Sequence, residues 1–185
     1  MEYNEILKAI HKGIIVSCQA LYDEPLYGSH IMAKMAIAAR DGGAVGIRAN
    51  YAQDIKAIKE VVDLPLIGLV KRDYDDSDAY ITPTMKEVEE VVNAGAEIVA
   101  IDATDILKPG GVTSEQFIRN IREKFDVMIL ADISTYEEAV RAEEAGAHMV
   151  STTLSGYTPH SPQLEGPDFD LIEKAAKGLK IPVIG

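Results

Sequence analysis

Short apolar segments of this sequence end repeatedly on a polar residue that could do chemistry. IIVSCQ ends on Gln19, AVGIR on Arg48, PLIGLVK on Lys71 and VMILAD on Asp132. A neutral lysine can remove a proton from carbon, an arginine can bind a carboxylate or a hydroxyl-rich ligand, and buried amide or carboxylate groups can hold hydroxyl groups. If these segments are parallel strands joined by helices, their C-terminal ends lie on one side of the sheet, and the sequence predicts an active site there.

Lys71 is the most informative of these residues. It follows the apolar run IGLV directly, and Arg72 stands beside it. Partial burial and a neighbouring cation both favour the neutral amine, which is the form that acts as a base. The alternative is a lysine that is solvated at the surface.

Each of the other candidates also has a purely structural interpretation. Arg48 could form a salt bridge to a loop carboxylate, and Gln19 could form a hydrogen bond across the rim of the sheet. Asp132 could cap the following helix, although Ser134 stands at the better cap position. Asp102, in an Asp-Ala-Thr turn, is a weaker candidate because its side chain could simply organise its own backbone.

Three further features have a functional and a structural interpretation. Cys18 is expected to be a small buried apolar residue rather than a reactive thiol. In the segment LSGYTPHSPQLEGPD, Tyr157 and His160 could touch a ligand, or the whole segment could be a mobile surface loop. The acidic run RDYDDSD, which starts directly after Lys71, could be solvated or could form a lid.

The elements that must position these residues alternate between strand and helix. Strands are predicted from apolar, β-branched runs, and helices from the 3.6-residue spacing of apolar residues and from capping residues. The predicted strands are 14–19, 44–48, 65–71, 97–102, 127–132 and 148–153, with a seventh starting at IPVIG; the predicted helices are 29–41, 52–62, 84–94, 114–124, 135–145 and 168–178.

A repeated Gly-Ala turn supports a barrel built from such units. Gly43, Gly95 and Gly146 each precede an alanine and a strand, at steps of 52 and 51 residues. This pattern is typical of an α/β (β/α)₈ TIM barrel. The rival, a doubly wound open sheet, lacks its G-x-G-x-x-G turn here. We therefore predict that residues 1–185 form a single TIM-barrel domain that supplies about six βα units plus strand 7 and is incomplete at its C-terminus.

Composition excludes several classes of function. The formal net charge of -12 disfavours nucleic acid and anionic membranes as partners. Cysteine and histidine residues do not show zinc-ligand spacing, so no metal site is predicted. A single cysteine cannot form an internal disulfide, and no segment is long and apolar enough to span a membrane. A cytoplasmic protein is expected.

Five separated segments together resemble the N-acetylmannosamine-6-phosphate 2-epimerase family. They are SCQALYDEPL, GIRAN, IGLVKRDY, ILADIST and STTLSGYT. The resemblance implies a TIM barrel that interconverts N-acetylmannosamine 6-phosphate and N-acetylglucosamine 6-phosphate in sialic acid and amino sugar catabolism, without a redox cofactor. It also implies that Lys71 is catalytic and that Gln19, Arg48 and Asp132 bind the substrate.

The resemblance also leaves questions open. In the family, the strand resembling IPVIG is followed by a catalytic glutamate and later by a phosphate-binding loop and arginine, and none of these lies within residues 1–185. The expected partners are a small phosphosugar and a second copy of the chain in a homodimer. Two alternatives remain: a phosphate-binding barrel lyase or isomerase that uses Lys71 as a Schiff base, and an inactive truncated barrel.

Overall fold

A computed structural model describes residues 3–185, which group into two compact units of parallel strands and helices. The first unit comprises residues 3–71 and 86–99, and the second comprises residues 72–85 and 100–185. The elements of the first are α1 (Tyr3–Ile10), β1 (Ile15–Cys18), α2 (Ser29–Asp41), β2 (Gly46–Asn50), α3 (Ala52–Lys59), β3 (Leu66–Leu69) and α4 (Met85–Ala94), and β4 (Ile98–Asp102) begins in it. The second holds α5 (Ser114–Lys124), β5 (Met128–Asp132), α6 (Tyr136–Ala145), β6 (Met149–Ser151), α7 (Phe169–Gly178) and β7 (Val183–Ile184).

The sheet of the first unit has one face covered by helices. Its strands follow the order β1-β2-β3-β4 and all run parallel. A Cβ atom added at Gly68 of β3 would lie 2.7 Å from Ile55 of α3 and 2.7 Å from Val91 of α4. This row of the sheet therefore faces the helices. Because side chains alternate along a strand, residues one position away face the other side.

The strands of the second unit also follow one another in chain order and run parallel. The last three residues of β4 belong to it, and the order continues β5-β6-β7, with parallel pairing that joins Leu130 to Met149 and Val150 to Val183. Strands β4 and β5 are buried along their whole length. Such continuous apolar strands are typical of parallel sheets covered on both faces.

The alternation predicted from the sequence is confirmed, and it corresponds to six βα units and a seventh strand of a TIM-barrel fold. Helix α2 has the predicted bounds, as does α5, which Thr113 caps by accepting a hydrogen bond from the N–H of Gln116. Helix α3 ends three residues before the predicted end. Helix α1 was missed: the sequence shows only an amphipathic N-terminal segment there.

The cap predicted for α6 was wrong. Thr135, not Ser134, occupies the N-cap position, and it forms a capping box with Glu138. The reason is that Ser134 donates its N–H and its hydroxyl to the Glu138 carboxylate instead of accepting from the helix. The Glu138 side chain therefore accepts hydrogen bonds both within the capping box and from the turn that precedes it.

The repeated Gly-Ala turns have a common geometry. Gly43, Gly95 and Gly146 adopt positive φ angles of 94°, 94° and 104°. After each glycine, the alanine N–H donates to the carbonyl oxygen five residues earlier, as Ala147 does to Ala142 at 2.9 Å. These are Schellman-type helix ends, which require the left-handed conformation that glycine adopts without strain. The sequence repeat is thus a repeat of helix-to-strand turns.

No helix among residues 3–185 is long and apolar enough to cross a membrane.

Candidate active site

Arg48 lies on the face of the first unit's sheet that is turned away from the helices. In the strand register, Ser17, Arg48 and Ile67 stand side by side, one position away from the row that contains Gly68. Arg48 is only partly buried, although every other residue of β2 is buried. The strand register therefore places the Arg48 side chain on the non-helical face of the sheet, where polar side chains can contact a ligand.

Lys71 lies two residues beyond Leu69, the last residue of β3, and is partly buried. Its backbone N–H donates to Oδ1 of Asn50 at 2.9 Å. Asn50 is the last residue of β2, and it is level with Leu69 in the register. The end of β2 thus fixes the backbone of the predicted catalytic lysine.

Gln19 follows the last residue of β1. Its Nε2 donates to Oγ of Ser17 at 2.8 Å, so one end of the amide is held by its own strand. Its Oε1 is buried and has no hydrogen-bond partner in the part of the chain that the structure describes. A buried acceptor without a partner costs about 1–3 kcal/mol. The Gln19 amide is therefore held in place by its Nε2 group, while its Oε1 can still accept a hydrogen bond from a ligand.

Asp132 is the last residue of β5 in the second unit and is fully buried. It is level with Ser151 of β6 in the register. Because Thr135 caps α6, helix capping does not account for the carboxylate at position 132. Gln19, Arg48 and Lys71 lie in the first unit and Asp132 in the second, and the convergence of all four remains a prediction.

Asp102 organises its own turn, as its structural interpretation predicts. Its Oδ1 accepts hydrogen bonds from the N–H and the hydroxyl of Thr104, at 2.9 and 2.8 Å. The sequence analysis missed Lys108, whose Nζ lies 3.2 Å from the same Oδ1 and 3.1 Å from Oγ of Ser114. Burial lowers the pKa of Lys108 from its ordinary value, and the neighbouring Asp102 carboxylate opposes that shift.

Glu138, a second residue that sequence reasoning missed, connects three loops of the second unit. Its buried carboxylate accepts hydrogen bonds from the backbone N–H of Asp105, Ser134 and Thr135, the hydroxyl of Ser134 and, at 2.8 Å, Nε2 of His160. Burial alone would raise the pKa of Glu138, but the hydrogen bonds from His160 and Ser134 hold it below the ordinary value. The only sequence signal was the capping-box spacing of Thr135 and Glu138.

The loop that carries His160 is fixed by hydrogen bonds, so its interpretation as a mobile surface loop was wrong for this part. His160 contacts Glu138, and the Thr158 hydroxyl donates to Oγ of Ser134 at 2.9 Å. Tyr157 points into solvent. The contact between His160 and Glu138 gives the histidine a structural role.

The acidic run that starts at Arg72 is also attached at its tip. Ser77 donates its hydroxyl to the carbonyl of Leu107 at 2.6 Å, and Asp76 accepts from the N–H of Gly110 at 2.9 Å. Neither contact could be read from the sequence, since each joins residues about thirty positions apart. The segment is neither fully solvated nor a free lid.

One cluster of side chains in the described residues has the spacing of a metal site. Ligand atoms of Asp105, Glu138 and His160 lie within 4.8 Å of one another. However, Glu138 already accepts the hydrogen bonds described above, and Asp105 pairs with Arg141. Protein groups therefore satisfy these side chains, and we assign no metal to them.

Comparison with known proteins gives a family. The NanE family model, described as N-acetylmannosamine-6-phosphate epimerase, matches residues 32–185. The chain belongs to this family. It is accordingly an epimerase, and Lys71, Arg48, Gln19 and Asp132 are its candidate site residues.

Named relatives support this assignment. A Caldanaerobacter subterraneus subsp. tengcongensis protein named N-acetylmannosamine-6-phosphate 2-epimerase is 55% identical over 181 residues, covering 97% of this chain and 76% of that protein. A protein of the same name from Clostridioides difficile is 52% identical over 179 residues, covering 97% of this chain and 80% of that protein.

Solved structures agree on the fold. The N-acetylmannosamine-6-phosphate 2-epimerase from Clostridium perfringens superimposes with a TM-score of 0.93 at 50% identity, covering 99% of this chain and 80% of that one. Thiamine phosphate pyrophosphorylase from Pyrococcus furiosus matches with a TM-score of 0.60 at 17% identity, over 96% of this chain and 77% of that one. The second match shows a shared fold and nothing more.

Proposed function

We propose that this epimerase inverts C2 of N-acetylmannosamine 6-phosphate to give N-acetylglucosamine 6-phosphate, with Lys71 as the residue that moves the proton. The observation that carries the proposal is the NanE family match together with Lys71 at the end of buried strand β3. The 50% identical epimerase of known structure extends along 99% of the chain, so this strand end is included in the comparison.

The chemistry requires a base beside C2. In the open-chain sugar, C2 carries a proton next to the C1 aldehyde, and removal of that proton moves the C2–H electron pair into an enolate whose charge rests on O1. Lys71 in its neutral form accepts the proton. Return of a proton to the opposite face of C2 gives the other epimer, so no electrons are gained or lost overall.

Arg48 suits the second requirement, which is stabilisation of the enolate. Its guanidinium is cationic at every physiological pH and offers several N–H donors to an oxyanion. Its position on the non-helical face of β2, one strand from β3, supports this role. Gln19 and Asp132 would hold the hydroxyl or acetamido groups of the sugar, which fixes C2 relative to the base.

The test replaces Lys71 in the protein at the full length its gene encodes. Lys71→Ala should abolish both epimerisation and the exchange of the C2 proton with solvent deuterium, followed by NMR. Lys177→Ala is the matched control because Lys177 is exposed on α7 and pairs with Glu173. Substantial retained exchange in Lys71→Ala would exclude this lysine as the base. A borohydride-trapped adduct on Lys71 would instead support the Schiff-base lyase or isomerase.

We propose further that the protein is cytoplasmic and forms a homodimer. The cytoplasm is supported by Cys18, a lone buried cysteine that has no disulfide. A dimer is supported by three exposed apolar side chains in the loop after β1, since Tyr22, Leu26 and Tyr27 are 80%, 54% and 42% exposed. Cell fractionation tests the cytoplasmic location, and sedimentation equilibrium measures whether the protein is a dimer.

We also propose that residues 1–185 belong to one barrel domain. The support is strand β4, which runs without interruption from the first unit into the second. A single cooperative unfolding transition, with the same midpoint by fluorescence and circular dichroism, is expected.

A further inference from the structure

Asn50 holds the backbone of the predicted catalytic lysine. It ends β2, its side chain is fully buried, and its Oδ1 accepts the N–H of Lys71 at 2.9 Å. Reversal of the carboxamide would bring its NH₂ group against that N–H, and two donors would then face each other. The orientation of the amide is therefore set by chemistry, with Oδ1 toward Lys71 and Nδ2 on the other side.

The Nδ2 group of Asn50 is buried and has no hydrogen-bond partner among residues 3–185. Buried donors are normally paired, because the loss of water without a replacement acceptor destabilises the folded state. An acceptor that comes with a ligand would remove this cost.

The surroundings of Asn50 point to the same site. By strand alternation, Asn50 shares the non-helical face of β2 with Arg48. Gln19 directly follows Cys18, the last residue of the neighbouring strand β1, and its buried Oε1 also has no partner in the described part of the chain. A donor at the end of β2 and an acceptor just beyond the end of β1 suit a hydroxyl or an acetamido group, each of which carries both functions.

The backbone directly after Asn50 is strained. Tyr51 has φ 70° and ψ 141°, a conformation that side chains with a Cβ rarely adopt. Its N–H donates to the carbonyl of Leu69 at 3.0 Å, which holds the turn in place. Strain of this kind persists where the surrounding structure requires it and is concentrated at functional sites.

We propose that Asn50 is a further residue of the epimerase site, which positions Lys71 through Oδ1 and donates a hydrogen bond from Nδ2 to an oxygen of the bound sugar phosphate. The inference rests on the proposed function, since it needs Lys71 to act on a sugar. It assigns two roles to one carboxamide, and they can be separated by substitution.

The test compares two variants of the protein at the full length its gene encodes. Asn50→Asp keeps an acceptor for the Lys71 N–H but replaces the Nδ2 donor by a carboxylate oxygen. Asn50→Leu removes both functions at similar volume. Asn93→Asp is the matched control, because it makes the same change of charge at an exposed position of α4. Thermal melting by circular dichroism establishes that each variant is folded.

We expect Asn50→Asp to lower kcat/KM for N-acetylmannosamine 6-phosphate by about ten- to a hundredfold, which corresponds to one lost hydrogen bond to a reacting ligand. Its pH profile should also move to higher pH, because a carboxylate beside Lys71 favours the ammonium form. Asn50→Leu should lose more activity, since Lys71 also loses its backbone acceptor. The pH shift follows from the new charge itself, so the decisive readout is kcat/KM compared at each protein's own optimal pH, which a purely structural asparagine would leave unchanged in folded Asn50→Asp.

The outcomes separate the inference from the proposed function. If the unsubstituted protein epimerises the sugar phosphate and folded Asn50→Asp, at its own optimal pH, keeps kcat/KM within twofold, the inference alone is overturned. If the unsubstituted protein lacks the activity, the proposed function fails and the inference fails with it. Equal activity losses in Asn50→Asp and the Asn93→Asp control would also overturn it.

Discussion

Lys108 and Asp102 form an ion pair in the interior of the second unit. Nζ of Lys108 lies 3.2 Å from Oδ1 of Asp102, and the two side chains are only 1% and 3% exposed. Ser114 and the carbonyl of Ile106 accept the remaining donors of the ammonium group. A buried pair with this many hydrogen bonds holds the turn after β4 to the start of α5.

Removal of the lysine alone should destabilise the protein strongly. Lys108→Met is expected to lower the free energy of unfolding by about 3–5 kcal/mol, because it leaves the Asp102 carboxylate buried without a cation. Urea unfolding measures the effect. In the double variant with Asp102→Asn, the loss should be smaller than the sum of the two single losses. A loss below about 1 kcal/mol for Lys108→Met would contradict the importance of the pair.

Glu138→Gln should loosen the loops that converge on α6. The substitution turns one acceptor oxygen into a donor that faces N–H groups, and a loss of about 2–3 kcal/mol in the free energy of unfolding is expected. Glu144→Gln, at an exposed position of the same helix, is the control. Equal stability of the two variants would show that the Glu138 hydrogen bonds contribute nothing.

The same substitution should change the response to acid. The pKa of Glu138 in the folded protein is below its ordinary value of 4.5, so its contribution to stability is present above that pH and is lost as the pH falls through the folded pKa. Glu138→Gln should therefore lose less stability than the parent between about pH 5 and the folded pKa. Melting temperatures recorded across this range provide the measurement.

His148 should titrate far below an ordinary histidine. Burial and the adjacent Arg122 lower its pKa from 6.5 to about 4, and Nδ1 accepts the N–H of Ile129 at 2.9 Å. The unfolded chain thus binds a proton between these two pH values and the folded chain does not, so stability falls as the pH drops from 6.5 toward 4.

NMR titration of the imidazole measures this pKa directly, and His148→Gln should lessen the loss of stability on acidification. His11→Gln, at an exposed position, should leave that loss unchanged. An imidazole signal of His148 that titrates near pH 6.5 would disprove the assignment.

Gly68→Ala should disturb the contact between β3 and its helices. The new methyl group would lie 2.7 Å from both Ile55 and Val91 and 2.9 Å from Ala96, all of which are buried. Overpacking of this kind costs about 1–3 kcal/mol. Gly166→Ala, whose methyl group would meet no atom within 4 Å, should change stability much less, and thermal unfolding compares the two.

Elements whose signals are local were predictable from the sequence. The 3.6-residue spacing of α2 gave both of its ends, and the Gly-Ala turns at Gly43, Gly95 and Gly146 marked where helices end and strands begin. The cap of α6 was assigned to the wrong residue because two neighbouring hydroxyl residues, Ser134 and Thr135, both suit an N-cap. The choice between them depended on which one Glu138 engages.

The sequence by itself determined the alternation of strands and helices, the positions of Lys71, Gln19 and Asp132 at or just beyond strand ends, and the burial of Cys18, because each depends on periodicity and on neighbours in the chain. The prediction that Arg48 ends its strand was wrong, because β2 continues two residues further, to Asn50. Only the tertiary structure decided the pairing of Lys108 with Asp102, the anchoring of His160 on Glu138 and the contact of Asn50 with Lys71. Asn50 and Lys71 are 21 positions apart, and their contact exists because the register of β2 against β3 brings the two strand ends together. Register is a property of the packed sheet, in which a shift by one residue would turn every side chain to the other face.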